Sequence, residues 1–234
     1  MEIAPGVYSI MQKTGIYVHA FLLDNGDGLT LIDTVYSTDA RFILEELRQI
    51  GRSPKDIQHI VLTHAHRAHL GGLAALKAAS GATVYCHAWE ADIVAGDRKP
   101  QNMSLAFMRP YRLWQYQVAS RFGSHPPVTV DQLIDHGSQV GSLQILHAPG
   151  HTPGHLVFYW PERKALFAGD ALVTYPEFGP GWPAFMLNGK QIWISLSRLS
   201  KLEIEVLGVG HGEPIRSGGG ERLRALVKNE TGGK

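Results

Sequence analysis

The stretch Thr63-His64-Ala65-His66-Arg67-Ala68-His69-Leu70-Gly71-Gly72 crowds three histidines into six positions, directly after the apolar run Ile60-Val61-Leu62. Neutral imidazole is the commonest side-chain metal ligand, and the first and third residues of an extended segment point to one side. His64 and His66 are therefore placed to grip one ion, and His69, past the bend, to reach a second.

Three further pieces lie downstream. Pro149-Gly150-His151-Thr152-Pro153-Gly154-His155 holds a histidine in a glycine- and proline-bounded turn after a strand read over 143–147. Gly169-Asp170 ends a strand at 165–168, and Gly210-His211-Gly212 follows one at 204–209. Each sets a potential ligand at the carboxyl end of a strand, with glycine permitting close backbone approach. A lone histidine after a strand is most often structural; the ordered combination carries the reading.

Together these motifs resemble the His-x-His-x-Asp-His signature and five-motif order of the metallo-β-lactamase fold superfamily, from about Asp33 to His211. The resemblance implies an α/β fold, an αβ/βα four-layer sandwich of two mixed sheets flanked by helices. It implies a first metal site of His64, His66 and His151, and a second of His69, Asp170 and His211, with Asp170 bridging. Asp33, in Leu31-Ile32-Asp33-Thr34, matches the aspartate that orients metal-bound histidines. His155 takes a supporting role. Zn²⁺, two per chain, suits three-histidine coordination with an open position, and iron or manganese also suits the imidazole-carboxylate set. The implied chemistry is hydrolysis by metal-activated hydroxide.

One position departs from the signature: Ala68 stands where the family has aspartate, a ligand of the second ion that also handles the proton of the nucleophile. Alanine does neither, so the second site is expected to be weakened and catalysis impaired or lost. Three readings stay open: an engineered inactivating substitution, an enzyme working with one ion, and a pseudo-enzyme that binds a metal or small molecule.

The family spans β-lactamases, lactonases, thioester hydrolases resembling glyoxalase II, ribonucleases and flavodiiron oxidoreductases. The net charge of +1, from 22 Lys+Arg against 21 Asp+Glu, offers no electrostatic footprint for nucleic acid. Tyr175, Phe178, Trp182 and Phe185 follow Asp170, and an aromatic stretch at 99–123 that includes Trp114 reads as a helical lid or insert. Together they suggest a pocket for a moderately apolar small molecule, hence a lactone, ester or thioester, with β-lactam amide hydrolysis as the alternative. Acyl-homoserine lactonases carry tyrosine three positions after the bridging aspartate; here Val173 fills that position and Tyr175 lies five along.

The remaining composition is that of an ordinary globular chain, 44% hydrophobic over 234 residues, read as a single domain spanning 1–234. The lone Cys86 excludes an internal disulfide, and Met1 to Gly6 carries no basic stretch leading into an apolar core. No apolar run approaches the roughly 18 residues that span a bilayer. These set the expectation of a cytoplasmic protein without membrane partner, with a homodimer plausible through the aromatic insert. Helices are expected at 39–50, capped by Ser37 or Thr38, and at 72–79, 88–95 and 190–199, with another closing the chain after Gly218-Gly219-Gly220.

Overall fold

The computed structural model describes residues 1–13, 17–26, 28–100 and 125–232. The expected lid at 99–123 lies almost wholly outside the described residues, as does Trp114.

The first sheet has seven strands in chain order: β1 (Glu2–Ala4), β2 (Val7–Lys13), β3 (Tyr17–Asp24), β4 (Leu29–Ile32), β5 (Ile57–Val61), β6 (Thr83–Cys86) and β7 (Gln132–Leu133). β1 to β4 pair antiparallel, whereas β4, β5, β6 and β7 run parallel. The second sheet is ordered β14-β11-β10-β9-β8, from β8 (Gln139–Val140), β9 (Leu143–His147), β10 (Leu156–Trp160), β11 (Ala165–Phe167) and β14 (Val206–Gly208). A two-stranded ribbon of β12 (Leu172–Val173) and β13 (Gly179–Pro180) adjoins the site.

The period-2 alternation of the strands builds the layers. Along β10, Leu156, Phe158 and Trp160 face the first sheet, packing with Phe21, Ile32 and Val61. Val157 and Tyr159 face the other way, onto α5 (Gly189–Leu199) and α6 (Gly219–Gly232) through Ile192, Leu196 and Leu223. On the far face of the first sheet, Leu22, Leu31 and Ile60 pack against α1 (Arg41–Gln49), α3 (Leu73–Ser80) and α4 (Ala88–Val94). Strands buried on both faces explain the nearly continuous apolar runs of the sequence. The result is the expected helix–sheet–sheet–helix sandwich.

Several boundaries differ from the sequence reading. α1 begins at Arg41, not Asp39, because Ala40 adopts a left-handed conformation (φ 56°). The Asp39 carboxylate, rather than Ser37 or Thr38, accepts the Arg41 N–H at 3.2 Å. The strand expected at 204–209 narrows to Val206–Gly208, because the chain turns toward the site and Gly210 N–H bonds Gly169 C=O at 2.9 Å. β2 was not expected, since Ser9 and Gln12 interrupt its apolar pattern. Both are buried and satisfied: Ser9 Oγ lies 2.8 Å from His19 Nδ1, and Gln12 Oε1 accepts the Tyr36 and Ser37 N–H groups. Among the described residues, no helix is long and apolar enough to cross a membrane.

Candidate metal centre

Strand direction brings the motifs together. β4 and β5 are parallel, so the residues following them, Asp33 and the His64–His69 loop, emerge at the same edge. In the second sheet β11 and β14 are parallel, and β9 runs with them because each is antiparallel to β10. His151, Asp170 and His211 therefore emerge together, facing the histidine loop across the top of the sandwich. Leu156 N–H bonds Thr63 C=O at 2.8 Å, stitching the two sheets at that edge.

Asp170 is the hub. Its Oδ2 lies 3.8 Å from His64 Nε2, 3.5 Å from His151 Nε2 and 3.3 Å from His211 Nε2, while its Oδ1 lies 3.4 Å from His69 Nε2. His66 Nδ1 and His151 Nε2 face each other at 3.0 Å. Around Asp170, two sets of donor atoms each fall within 4.8 Å of one another: His64, His66, His151 and Asp170, and His69, Asp170 and His211; His87, Asp135 and His147 form a third set elsewhere. His64 Nε2, His69 Nε2 and Asp170 Oδ1 are buried without a hydrogen-bond partner. Buried polar atoms are normally paired, and imidazole lone pairs converging around a carboxylate fit a bound cation. At Gly210 a Cβ would collide with Asp170 Oδ1, so the backbone there makes room for the carboxylate.

The outward faces of these rings are anchored. Asp33 accepts the Thr63 N–H at 2.9 Å and the Thr63 hydroxyl at 2.7 Å, and lies 2.9 Å from His69 Nδ1. Thr63 Oγ1 in turn lies 3.0 Å from His64 Nδ1, and the Tyr17 carbonyl 2.8 Å from His211 Nδ1. These contacts aim the opposite nitrogens of His64, His69 and His211 inward. His155 Nε2 accepts the Asp170 N–H at 3.2 Å, and its ring stacks on His64 at 5.1 Å.

The electrostatics divide the site. Burial and the neighbouring imidazoles hold His64 well below the usual histidine range; burial likewise keeps His151 low, against the pull of Asp170. Burial opposes charge on His69 too, but the Asp170 and Asp33 carboxylates on either side push it up to about 10. The histidines of the first set are thus kept in their neutral, ligating form, whereas Asp170 and Asp33 favour the charged form of His69.

The family model for the metallo-β-lactamase superfamily matches residues 14–211. The chain belongs to the metallo-β-lactamase superfamily. It is 30% identical to the uncharacterized protein YobT of Bacillus subtilis, over 92% of this chain and 91% of that one. A hydroxyacylglutathione hydrolase of Methylococcus capsulatus is 34% identical over 63% of this chain and 44% of its own length. The solved structure of TTHA1623 in a di-iron-bound form superposes with TM-score 0.64 at 27% identity, covering 88% of this chain and 93% of that one. As a superfamily member the chain is a metal-binding hydrolase.

The histidines of the signature motifs converge on Asp170, and the structure shows what surrounds them. His69 sits on a short helix, α2 (Arg67–Leu70), and Ala68 beside it is half-buried. Phe185, in the turn Pro183–Phe185, lies edge-on to His66 at 6.1 Å, and Trp182 stacks on His211 at 4.6 Å. Trp182 Nε1 also donates to the Tyr175 carbonyl, while Tyr175 itself is exposed. Of the aromatic residues expected beside the site, Phe185 and Trp182 reach its histidines, whereas Phe178 packs against the outer helical core. His19 of β3 is buried; burial and nearby His211 push it down to about 4. The sequence reading passed over His19 and, on α4, the buried Glu90. Its signal was a carboxylate sharing a helix face with Ile93 and Val94.

Proposed function

We propose that this chain is a zinc hydrolase of a small ester, lactone or thioester, with the second ion held weakly because Ala68 supplies no carboxylate. The observation that carries the reading is the ring of imidazole nitrogens around Asp170, within 3.3–3.8 Å, including atoms buried without partners. Ions bound there supply a nucleophile at neutral pH, lowering the pKa of water from 15.7 toward about 7, and polarise a carbonyl oxygen.

The chain's own residues do the rest. Asp33 fixes His69 with Nε2 inward, and Asp170 lies between the two sets, with Oδ1 toward His69 and Oδ2 toward His64, His151 and His211. Trp182 and Phe185 wall the site on one side, which favours an acyl group with apolar surface over a bare phosphate. Hydrolysis of an acylated glutathione by the similar Methylococcus capsulatus enzyme is in keeping with an acyl substrate. The methyl of Ala68 neither ligates an ion nor takes a proton, so turnover is expected to be slow. Iron in place of zinc is the alternative favoured by the di-iron form of a similar protein.

The test is elemental analysis of the purified protein, followed by assay of the wild type and Ala68→Asp on aryl esters, acyl lactones, an S-acyl glutathione and a β-lactam. The expected outcome is tight loading of one ion by the wild type, two by Ala68→Asp, and a metal-dependent gain in acyl hydrolysis of at least about 100-fold, the scale of placing one acid–base group. Absence of turnover by both proteins, metal-loaded, on every substrate would sink the reading.

A further inference from the structure

We infer that Glu90 is a positioning residue: its carboxylate ties the loop of His64 and His66 to the loop of His151 and thereby sets the spacing of the first metal site. The inference rests on the metal reading above and concerns a residue outside the ligand motifs.

Glu90 is 1% exposed, on the inward face of α4. Its Oε2 accepts the Ala65 N–H at 3.0 Å, from the residue between His64 and His66. Its Oε1 accepts the Thr152 hydroxyl at 2.5 Å, from the residue after His151. The Gly154 N–H also bonds this carboxylate. The first loop follows a strand of one sheet and the second follows a strand of the other. One side chain from a third element therefore joins both.

The bases of these loops are already joined by Leu156 N–H to Thr63 C=O. Nearer the ligands the gap narrows to the 3.0 Å between His66 Nδ1 and His151 Nε2. Two imidazole nitrogens at that separation repel unless a proton or a cation lies between their lone pairs. A buried carboxylate holding donors from both backbones resists that separation, and such charge-assisted bonds are stronger than neutral ones. Packing supports the same assignment: a Cβ at Gly154 would lie 2.9 Å from both Glu90 Cγ and Oε1, and 2.8 Å from His87 Nδ1. The second glycine of the Pro149–His155 motif is thus required by the seat of Glu90.

The opposing possibility is that Glu90 merely stabilises the fold. The two differ in what they do to metal affinity and ligand geometry at temperatures where every variant is folded. The experiment titrates metal-free protein with zinc alone against a chromophoric chelator, and with cobalt alone while recording the visible ligand-field spectrum. Wild type is compared with Glu90→Ala, Glu90→Gln, Thr152→Val and Ile93→Ala. Ile93 is a buried apolar residue of the same helix with no bond to either loop.

Glu90→Ala is expected to weaken the tighter site about 10–100-fold, the range for residues that orient ligands, and to shift the cobalt bands. Glu90→Gln, which still accepts from Thr152 but turns an amide N–H₂ toward Ala65, recovers part of the loss. Thr152→Val loses less than Glu90→Ala and keeps the test open if that variant does not fold. Ile93→Ala lowers the melting temperature but leaves affinity and spectrum unchanged. Wild-type affinity and bands in Glu90→Ala, or in Glu90→Gln with Thr152→Val, overturn the clamp alone, as does equal weakening in Ile93→Ala. A wild type that binds neither ion overturns the metal reading and the clamp with it.

Discussion

Asp33 Oδ2 lies 2.9 Å from His69 Nδ1, across 36 residues of sequence, while the same carboxylate holds Thr63 by both its N–H and its hydroxyl. One buried acid at the end of β4 thus fixes the start of the histidine loop and its last ligand. Asp33 sits at φ 59°, a left-handed conformation that aspartate and asparagine tolerate better than most residues.

Asp33→Asn keeps the backbone conformation, which asparagine also tolerates, while removing the charge and one acceptor oxygen. It is expected to weaken the His69-containing site about 10–100-fold in a zinc competition titration, with a smaller effect on the tighter site. Unchanged affinity at both sites would show that the carboxylate only serves folding.

Metal-free protein is expected to be most stable near pH 6.5. Burial pushes His19 and His66 down to about 4 and His155 to about 3, against 6.5 for the ordinary side chain. Below 6.5 the unfolded chain gains protons that the folded one refuses, so stability is lost as the pH falls toward 4. His69 acts with the opposite sign. Raised to about 10, it contributes fully below 6.5, and that stability is lost as pH rises toward 10. Melting curves of chelator-treated protein from pH 4 to 10 check both limbs, and His69→Gln should flatten the alkaline one. A melting temperature still climbing from pH 7 to 10 would contradict the assignment.

Trp182→Ala removes the indole stacked on His211 and frees the Tyr175 carbonyl. In the Ala68→Asp background, KM for aryl and long-chain esters should rise roughly three- to tenfold, the worth of an aromatic contact. Acetyl esters, too short to reach the wall, should change less. Equal effects on all esters would mean that Trp182 positions His211 and not substrate.

Packing between the sheets should dominate stability. Phe158 is fully buried among Phe21, Phe167 and Val61, so Phe158→Ala should cost about 3–5 kcal/mol in urea unfolding. Ile194, on the exposed side of α5, should cost no more than about 0.5 kcal/mol when replaced by alanine. Similar losses at both positions would mean that the inter-sheet layer is not the principal core.

That the histidines of the site would gather in one place was legible because each lies in a short motif after an apolar strand, at His151 and His211 with glycine just before the donor. The two-sided apolar runs of β10 and β11 likewise declared strands covered on both faces. β2 was hidden because Ser9 and Gln12 find their partners on β3 and near α1, and no local pattern shows a distant partner. Phe178 and Phe185 were indistinguishable by composition; the turn at Pro183 sends one toward His66 while the other packs on the helices.

The family, the two-sheet plan and the candidate donor residues are properties of the chain read in order, because strand ends and side-chain types are local. How Asp170 comes within 3.3–3.8 Å of four imidazoles, why two carboxylates favour the charged form of His69, and what Glu90 joins are not local at all. They follow from parallel strand directions and from the stitching of two sheets, which bring together residues more than a hundred positions apart. Ala68 belongs to both accounts. Its side chain is plain in the sequence, but its consequence depends on the five histidines and one aspartate that the fold gathers into one site.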